Sequence, residues 1–174
     1  MHIEVIRVGL KPKTTKKSKN GVRNALAGGD WDRIHELVVK LTKEDNAIEH
    51  VRGIDRGRMS KSNLDWYVER KLDFVNWAGI LCDDFDEIVG VCLFQKGPLA
   101  NSCSLAALYV EKAYRGRGWG KELLKTCMEE MKRHYKFVDL NTSSFNDVAL
   151  RLYGKIGFAP YRVDMLLELK RGKK

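Results

Sequence analysis

Arg115-Gly116-Arg117-Gly118-Trp119-Gly120 stands between an apolar run, residues 102–110, and a segment whose apolar positions recur with a helical period. Three glycines within residues 116–120 free the backbone to curl, so that consecutive N–H groups can point at one anion. A helix beginning there adds its own unpaired N–H groups and the positive end of its dipole. Arg115 and Arg117 add positive charge. The loop is a candidate cradle for a pyrophosphate, with a plain tight turn as the alternative. It is not a dinucleotide fingerprint, because that pattern needs its last glycine three residues beyond the second, and an acidic residue after the next strand. It is not a nucleotide P-loop, because no Gly-Lys-Ser/Thr closes it.

Residues 2–9 read as a strand, followed by a Lys-rich loop. Asp30 can cap a helix whose Ile34, Leu37, Val38 and Leu41 share one face. Arg52, Gly53, Arg56, Gly57 and Arg58 mark a turn-rich connection, and Ser62 precedes a second helix with Leu64, Val68, Leu72 and Val75 on one side. Residues 77–82 and 87–95 read as strands joined by a hairpin turn, Asp83-Asp84-Phe85-Asp86. Those carboxylates suit a solvated turn better than a metal site. After the strand at 102–110 and the glycine loop comes a helix with Leu123, Leu124, Cys127, Met128 and Met131 inward. A strand at 137–142 and a helix from Asp147 to Gly157 follow, and Tyr161–Leu169 reads as the last strand. Meandering strands followed by alternating helix and strand predict an α/β (α+β) fold, a mixed, mostly antiparallel central sheet with helices on both faces.

The 174 residues predict a single domain, 1–174, large enough for its own core. No apolar run approaches the roughly 18 to 20 residues of a membrane span, and the first residues lack the layout of a signal peptide. Cys82, Cys92, Cys103 and Cys127 show neither a C-x-x-C spacing nor paired histidines. They read as reduced core residues of a cytoplasmic protein without a structural metal. The net charge of +9 is gathered at Lys11, Lys13, Lys16, Lys17 and Lys19 and in the tail Lys170, Arg171, Lys173 and Lys174. Such clusters attract polyanions such as RNA, and they are equally what solvated segments look like.

A second motif joins the loop. Residues 146–158 read Asn146-Asp-Val-Ala149-Leu-Arg-Leu152-Tyr153-Gly-Lys-Ile-Gly157-Phe158. Paired with Arg115-x-x-Gly118-x-Gly120 upstream, this resembles the GNAT superfamily of acyl-CoA-dependent N-acetyltransferases, in detail over about residues 85–160. The resemblance implies acetyl-CoA as co-substrate and no metal. It implies that Leu108 and Val110 hold the pantetheine arm through their backbone on a strand that splays from its neighbour. It places Arg115, Gly116, Arg117, Gly118, Trp119 and Gly120 around the pyrophosphate and Asn146 beside the pantetheine. It makes Tyr153 the general acid for the departing CoA thiolate. A phenol with a pKa near 10 stays protonated at neutral pH and can donate to such a thiolate. Core packing is the other reading of Tyr153, and Trp119 has no functional account.

The resemblance breaks on the acceptor side. Many family members carry Glu or His on the strand before the loop, whereas residues 102–110 contain neither. A base must then come from elsewhere, with His35, Glu36, Asp65 and Glu69 on the early helices as candidates, or from a water chain. Deprotonating a lysine amine at pH 7 costs roughly 4 to 5 kcal/mol, but an α-amine only about 1. A site without a strand base is easier to reconcile with a low-pKa amine, such as a protein N-terminus or the amino group of a charged tRNA. The expected partner is an amine-bearing acceptor, protein or RNA-linked, with no membrane, and a homodimer is kept as an option. The competing class is a catalytically inactive GNAT-like domain that binds acyl-CoA or nucleic acid.

Overall fold

The computed structural model describes residues 1–8, 26, 28–51, 61–165 and 167. Among them run β1 (His2–Arg7), α1 (Gly28–Val51), α2 (Lys61–Asp73), β2 (Val75–Cys82), β3 (Ile88–Lys96) and β4 (Ser102–Val110). A short 3-10 turn (Lys112–Tyr114), α3 (Trp119–Met131), β5 (Phe137–Leu140) and α4 (Asp147–Ile156) complete the order. The sheet follows chain order, β1-β2-β3-β4-β5, antiparallel at the first three pairings and parallel between β4 and β5. Tight turns can serve the antiparallel pairs, but a parallel neighbour requires a crossover, and α3 provides it.

Period-2 alternation in the strands splits the core into two layers. On one face Ile34, Leu37 and Val38 of α1 and Leu64 and Val68 of α2 pack with Ile80, Val91, Leu93 and Ala107. On the other, Leu123, Leu124, Cys127 and Met131 of α3 pack with Leu81, Cys92, Phe94, Cys103 and Leu105. Each fully buried aliphatic side chain stabilises this arrangement by about 1.5–3 kcal/mol before entropy is counted. The seating of α3 on β2 depends on Gly79, where a Cβ would lie 2.2 Å from Cys127 Sγ. Helices thus cover both faces of a mixed, mostly antiparallel sheet, as the pattern predicts. All four cysteines are buried thiols, three in strands and one on α3.

Several boundaries differ. Helix α1 begins at Gly28, so Asp30 sits in its first turn and not at the cap. Strand β2 begins at Val75, and β5 ends at Leu140. The larger correction concerns the expected last strand. Residues 161–165 and 167 are described and lie in no strand, with Tyr161, Val163, Met165 and Leu167 exposed by 62, 81, 94 and 81%. A period-2 pattern becomes a strand only where a partner edge takes up its hydrogen bonds, and among the described residues none does. Leu166, Glu168 and Leu169 lie outside the described residues. So do residues 9–25 with the Lys-rich cluster, the Arg52–Arg58 connection and the basic tail. No helix among the described residues is long and apolar enough to cross a membrane.

Candidate active site

The site begins where the sheet opens. Strands β4 and β5 pair only from Ser102↔Phe137 to Leu105↔Leu140, yet β4 continues to Val110. Glu111 N–H donates to Val89 O at 2.8 Å, which turns that residue's backbone towards β3. Alternation then turns the N–H and C=O of Leu108 and Val110 away from β3, into the gap. Arg115 Nε donates to Val110 C=O at 2.7 Å. The remaining groups, both of Leu108 and the N–H of Val110, face a space that no strand of the described residues fills. An extended ligand bearing amides can dock there as a strand would.

The glycine loop closes one end of that gap. Gly116 and Gly118 have φ of 78° and 85°, a left-handed backbone that a side chain would strain. A Cβ at either would meet nothing within 4 Å, so torsion alone requires glycine and the loop's front is open. Gly118 is the N-cap of α3 and supplies no side-chain cap, so the N–H groups of the first turn are left for an anion. A Cβ on Gly120 would touch only Val110 Cγ2, at 3.7 Å. The loop is braced from behind by Tyr114, whose hydroxyl donates to Asp83 Oδ2 at 2.9 Å.

Arg115 does not reach forward. Its guanidinium pairs with Glu44 at 3.0 Å and lies 4.9 Å over the Tyr109 ring. It fastens the loop to β4 and α1, which leaves Arg117, exposed, as the loop's outward cation. Trp119 is half-buried and packs against the α3-side core.

A parallel tie joins α1 to the end of β4. Glu111 is held by Lys40 and by Arg33 Nη2, the latter at 3.0 Å, while Arg33 Nε donates to Ile88 O. Burial alone would raise the Glu111 carboxyl, but Lys40 and Arg33 outweigh it and hold the group below its ordinary value.

Helix α4 carries the second motif. Asn146 Oδ1 accepts from Ala149 N–H at 3.1 Å, an N-cap that explains this residue structurally. Gly157, with φ of 111°, ends the helix. Tyr153 packs edge-on against Phe158, with ring centroids 5.8 Å apart, and borders the α3-side core. Burial, then Cys92 and Asp45, push its phenol up to about 12. It is therefore a neutral O–H at neutral pH.

One carboxylate escapes the sequence reading. Asp139 on β5 stands opposite Ser104, whose hydroxyl donates to Asp139 Oδ1 at 2.7 Å. Its Oδ2 is buried and has no hydrogen-bond partner among the described residues. It lies one residue before the end of the β4–β5 pairing, at the root of the gap. The signal available in the sequence was an acidic residue in an otherwise apolar strand, Phe137-Val138-Asp139-Leu140. Of the early-helix candidates, Glu36 is exposed and paired with Arg33, and Glu69 is exposed on α2. Asp65 is half-buried, and His35 keeps a buried Nε2 without a partner among the described residues.

A mixed sheet that opens after its fourth strand, above a glycine loop that starts a helix, is the architecture of the acyl-CoA-dependent transferases. The chain belongs to the acetyltransferase (GNAT) family, whose profile matches residues 36–158. It is 24% identical over 125 residues to an SPbeta prophage-derived uncharacterized N-acetyltransferase, YokL, of Bacillus subtilis, covering 71% of this chain and 70% of that protein. Its fold is similar to the crystal structure of a mutant of the BH1408 protein from Bacillus halodurans (TM-score 0.63, 20% identity, 82% of this chain and 95% of that one). It is likewise similar to the PaiA N-acetyltransferase of Thermoplasma acidophilum in complex with coenzyme A (TM-score 0.62, 20% identity, 94% of each chain).

Proposed function

We propose that this chain is an N-acetyltransferase that moves an acetyl group from acetyl-CoA to a primary amine by direct transfer. The observation that carries the reading is the open backbone edge of Leu108 and Val110, which runs into the uncapped N-terminus of α3. The edge takes the pantetheine amides. Gly116, Gly118 and Gly120 let the pyrophosphate approach the backbone, Arg117 offers it a counter-charge, and Trp119 anchors the loop. Arg115 acts as a positioning residue. Asn146 spends its oxygen on the cap and keeps its NH2 for the pantetheine side. The coenzyme A held by the Thermoplasma relative supports the same ligand here.

In the transfer, the amine nitrogen attacks the thioester carbon, and the tetrahedral intermediate collapses with loss of the CoA thiolate. Tyr153 gives that sulfur its proton. A phenol near 12 is a weak donor to an ordinary thiol near 8.5. Desolvation raises thiols as well, however, and burial, then Asp139, push Cys103 up to about 11. A thiolate expelled into a site shielded from water is likewise a better proton acceptor than it is in water. Asp139 is our choice to take up the proton of the amine, directly or through a water. Asp139 is the one carboxylate of β4 and β5, and a carboxylate is a far weaker base than an alkylamine, so a low-pKa amine on a protein N-terminus or a charged tRNA remains the favoured acceptor.

Thiol release from acetyl-CoA over a panel of N-terminal peptides, charged tRNA, polyamines and aminoglycosides tests the proposal. Turnover with α-amines is expected, and a preference for polycations overturns the acceptor reading. Acetyl-CoA binding without turnover on any amine favours the inactive binding module.

A further inference from the structure

We infer that the chain carries a divalent metal site, suited to Zn(II), at the corner where β1 begins and β2 ends. The register pairs His2 with Cys82 on one face of the β1–β2 ladder, and the turn after β2 folds Asp86 back to the same place with φ of 66°. An imidazole nitrogen, the Cys82 sulfur and an Asp86 carboxylate oxygen all lie within 4.8 Å of one another. His2 Nε2 is 3.6 Å from Asp86 Oδ1 and 3.2 Å from Glu4 Oε1. Donors sharing a tetrahedral Zn(II) at bond lengths of about 2.0–2.3 Å are themselves roughly 3.3–3.7 Å apart, so His2 already stands at that spacing from Glu4 and Asp86, and Cys82, within 4.8 Å, closes by at most about 1 Å.

Glu4 supplies the independent sign. Its side chain is only 3% exposed, and its Oε2 is buried with no hydrogen-bond partner among the described residues. A buried carboxylate oxygen left alone is costly. A dication at this point offsets the charges of Glu4 and Asp86, and with the Cys82 thiolate leaves a site of net charge about −1, and it gives that oxygen a partner. The fourth donor is then Glu4, reached by rotation of its carboxylate. The set of one sulfur, one nitrogen and two oxygens suits Zn(II) and is too soft for Mg(II) or Ca(II). On binding, the Cys82 thiol gives its proton to solvent as the metal–sulfur bond forms, and His2 binds neutral. The bound ion would clamp the turn whose Asp83 also holds Tyr114, the residue bracing the glycine loop. The sequence shows no metal spacing because Cys82 and Asp86 lie 80 and 84 residues beyond His2 (82 − 2 and 86 − 2), on β2 and the turn after it.

The test uses the full chain without any affinity tag, stripped with a chelator and titrated with Zn(II) and Co(II). One equivalent is expected to bind with micromolar or tighter affinity, to raise Tm, and, for Co(II), to give a thiolate-to-metal charge-transfer band. Cys82→Ser should abolish the band, and His2→Gln and Glu4→Gln should each weaken binding at least tenfold. Cys103→Ser, at a buried thiol outside the site, should leave the band and the affinity for Zn(II) unchanged. Should Cys82→Ser fail to fold, His2→Gln, on a half-exposed side chain, still decides the matter. No saturable binding, or binding indifferent to His2→Gln and Glu4→Gln, overturns the site. The readout does not involve acetyl transfer, so its failure and that of the transferase reading are separable.

Discussion

At the scale of the residue, Tyr153 is the sharpest point of the reading. A packing tyrosine and an acid both need burial, so burial cannot tell them apart, but removal of one oxygen can. Tyr153→Phe keeps the contact with Phe158 and is expected to lower kcat about 100-fold while acetyl-CoA affinity stays within about twofold. Steady-state thiol release and calorimetric titration check the two halves. The phenol also leaves a mark on stability. Its pKa rises from 10 in the unfolded chain to about 12 in the folded one. The stabilisation this implies is therefore fully present below pH 10 and is lost as pH climbs towards 12. Urea melts between pH 9 and 12 should fall more steeply for the native protein than for Tyr153→Phe. Asp139 makes the companion case. Asp139→Asn retains the acceptor for Ser104 Oγ but removes the proposed base, so kcat with α-amines should drop about 10- to 100-fold at neutral pH and recover in part as pH approaches the amine's own pKa. A loss that is flat with pH would assign Asp139 to folding instead.

At the scale of the element, the glycine loop allows a controlled comparison. Gly118→Ala forces a side chain into a left-handed backbone and should cost about 1–2 kcal/mol in urea melts, with a several-fold rise in KM for acetyl-CoA. Gly120→Ala sits inside the first turn of α3, where its Cβ makes an ordinary contact, and should leave stability unchanged or slightly raised. Equal losses from both would show that the loop needs room and not a special torsion. The loop and α4 were legible in the sequence because glycine spacing, caps and helical periodicity are local. The long-range features were not. The sheet's opening after Leu105 depends on how many residues β5 offers as partners, and only that register brings Asp139 to the root of the gap. Arg115 reads as a ligand-facing cation in one dimension, yet Glu44, 71 residues earlier, draws it backwards. Tyr161–Leu169 illustrates the converse, a strong strand pattern whose described residues find no edge to join.

At the scale of the whole molecule, the two halves of the chain meet through charge. Helix α1 comes from the half that the family motifs leave unread, and β4 from the half they define. Arg33 and Lys40 on α1 converge on Glu111 just past the end of β4, and Glu44 takes Arg115 one turn further along. The Glu111 lock is the better isolated of the two, since Glu111 makes no part of the proposed ligand path. Its carboxyl is depressed below the ordinary 4.5. The stability it contributes is therefore present above about pH 4.5 and is lost as pH falls through the lower folded value. Glu111→Gln removes the charge that Lys40 and Arg33 share, leaving Arg33 with Glu36, and should cost about 1–2 kcal/mol at pH 7, a Tm decrease of roughly 2–8 °C for a chain of this size. The gap between native and variant should narrow steadily below pH 4.5 in parallel melts. If α1 is docked by this pair, amide exchange in α1 should quicken in Glu111→Gln while α3 keeps its protection, because α3 rests on the opposite core layer. Uniform quickening in both helices would mean that the lock stabilises the sheet itself and not the seam between the two halves.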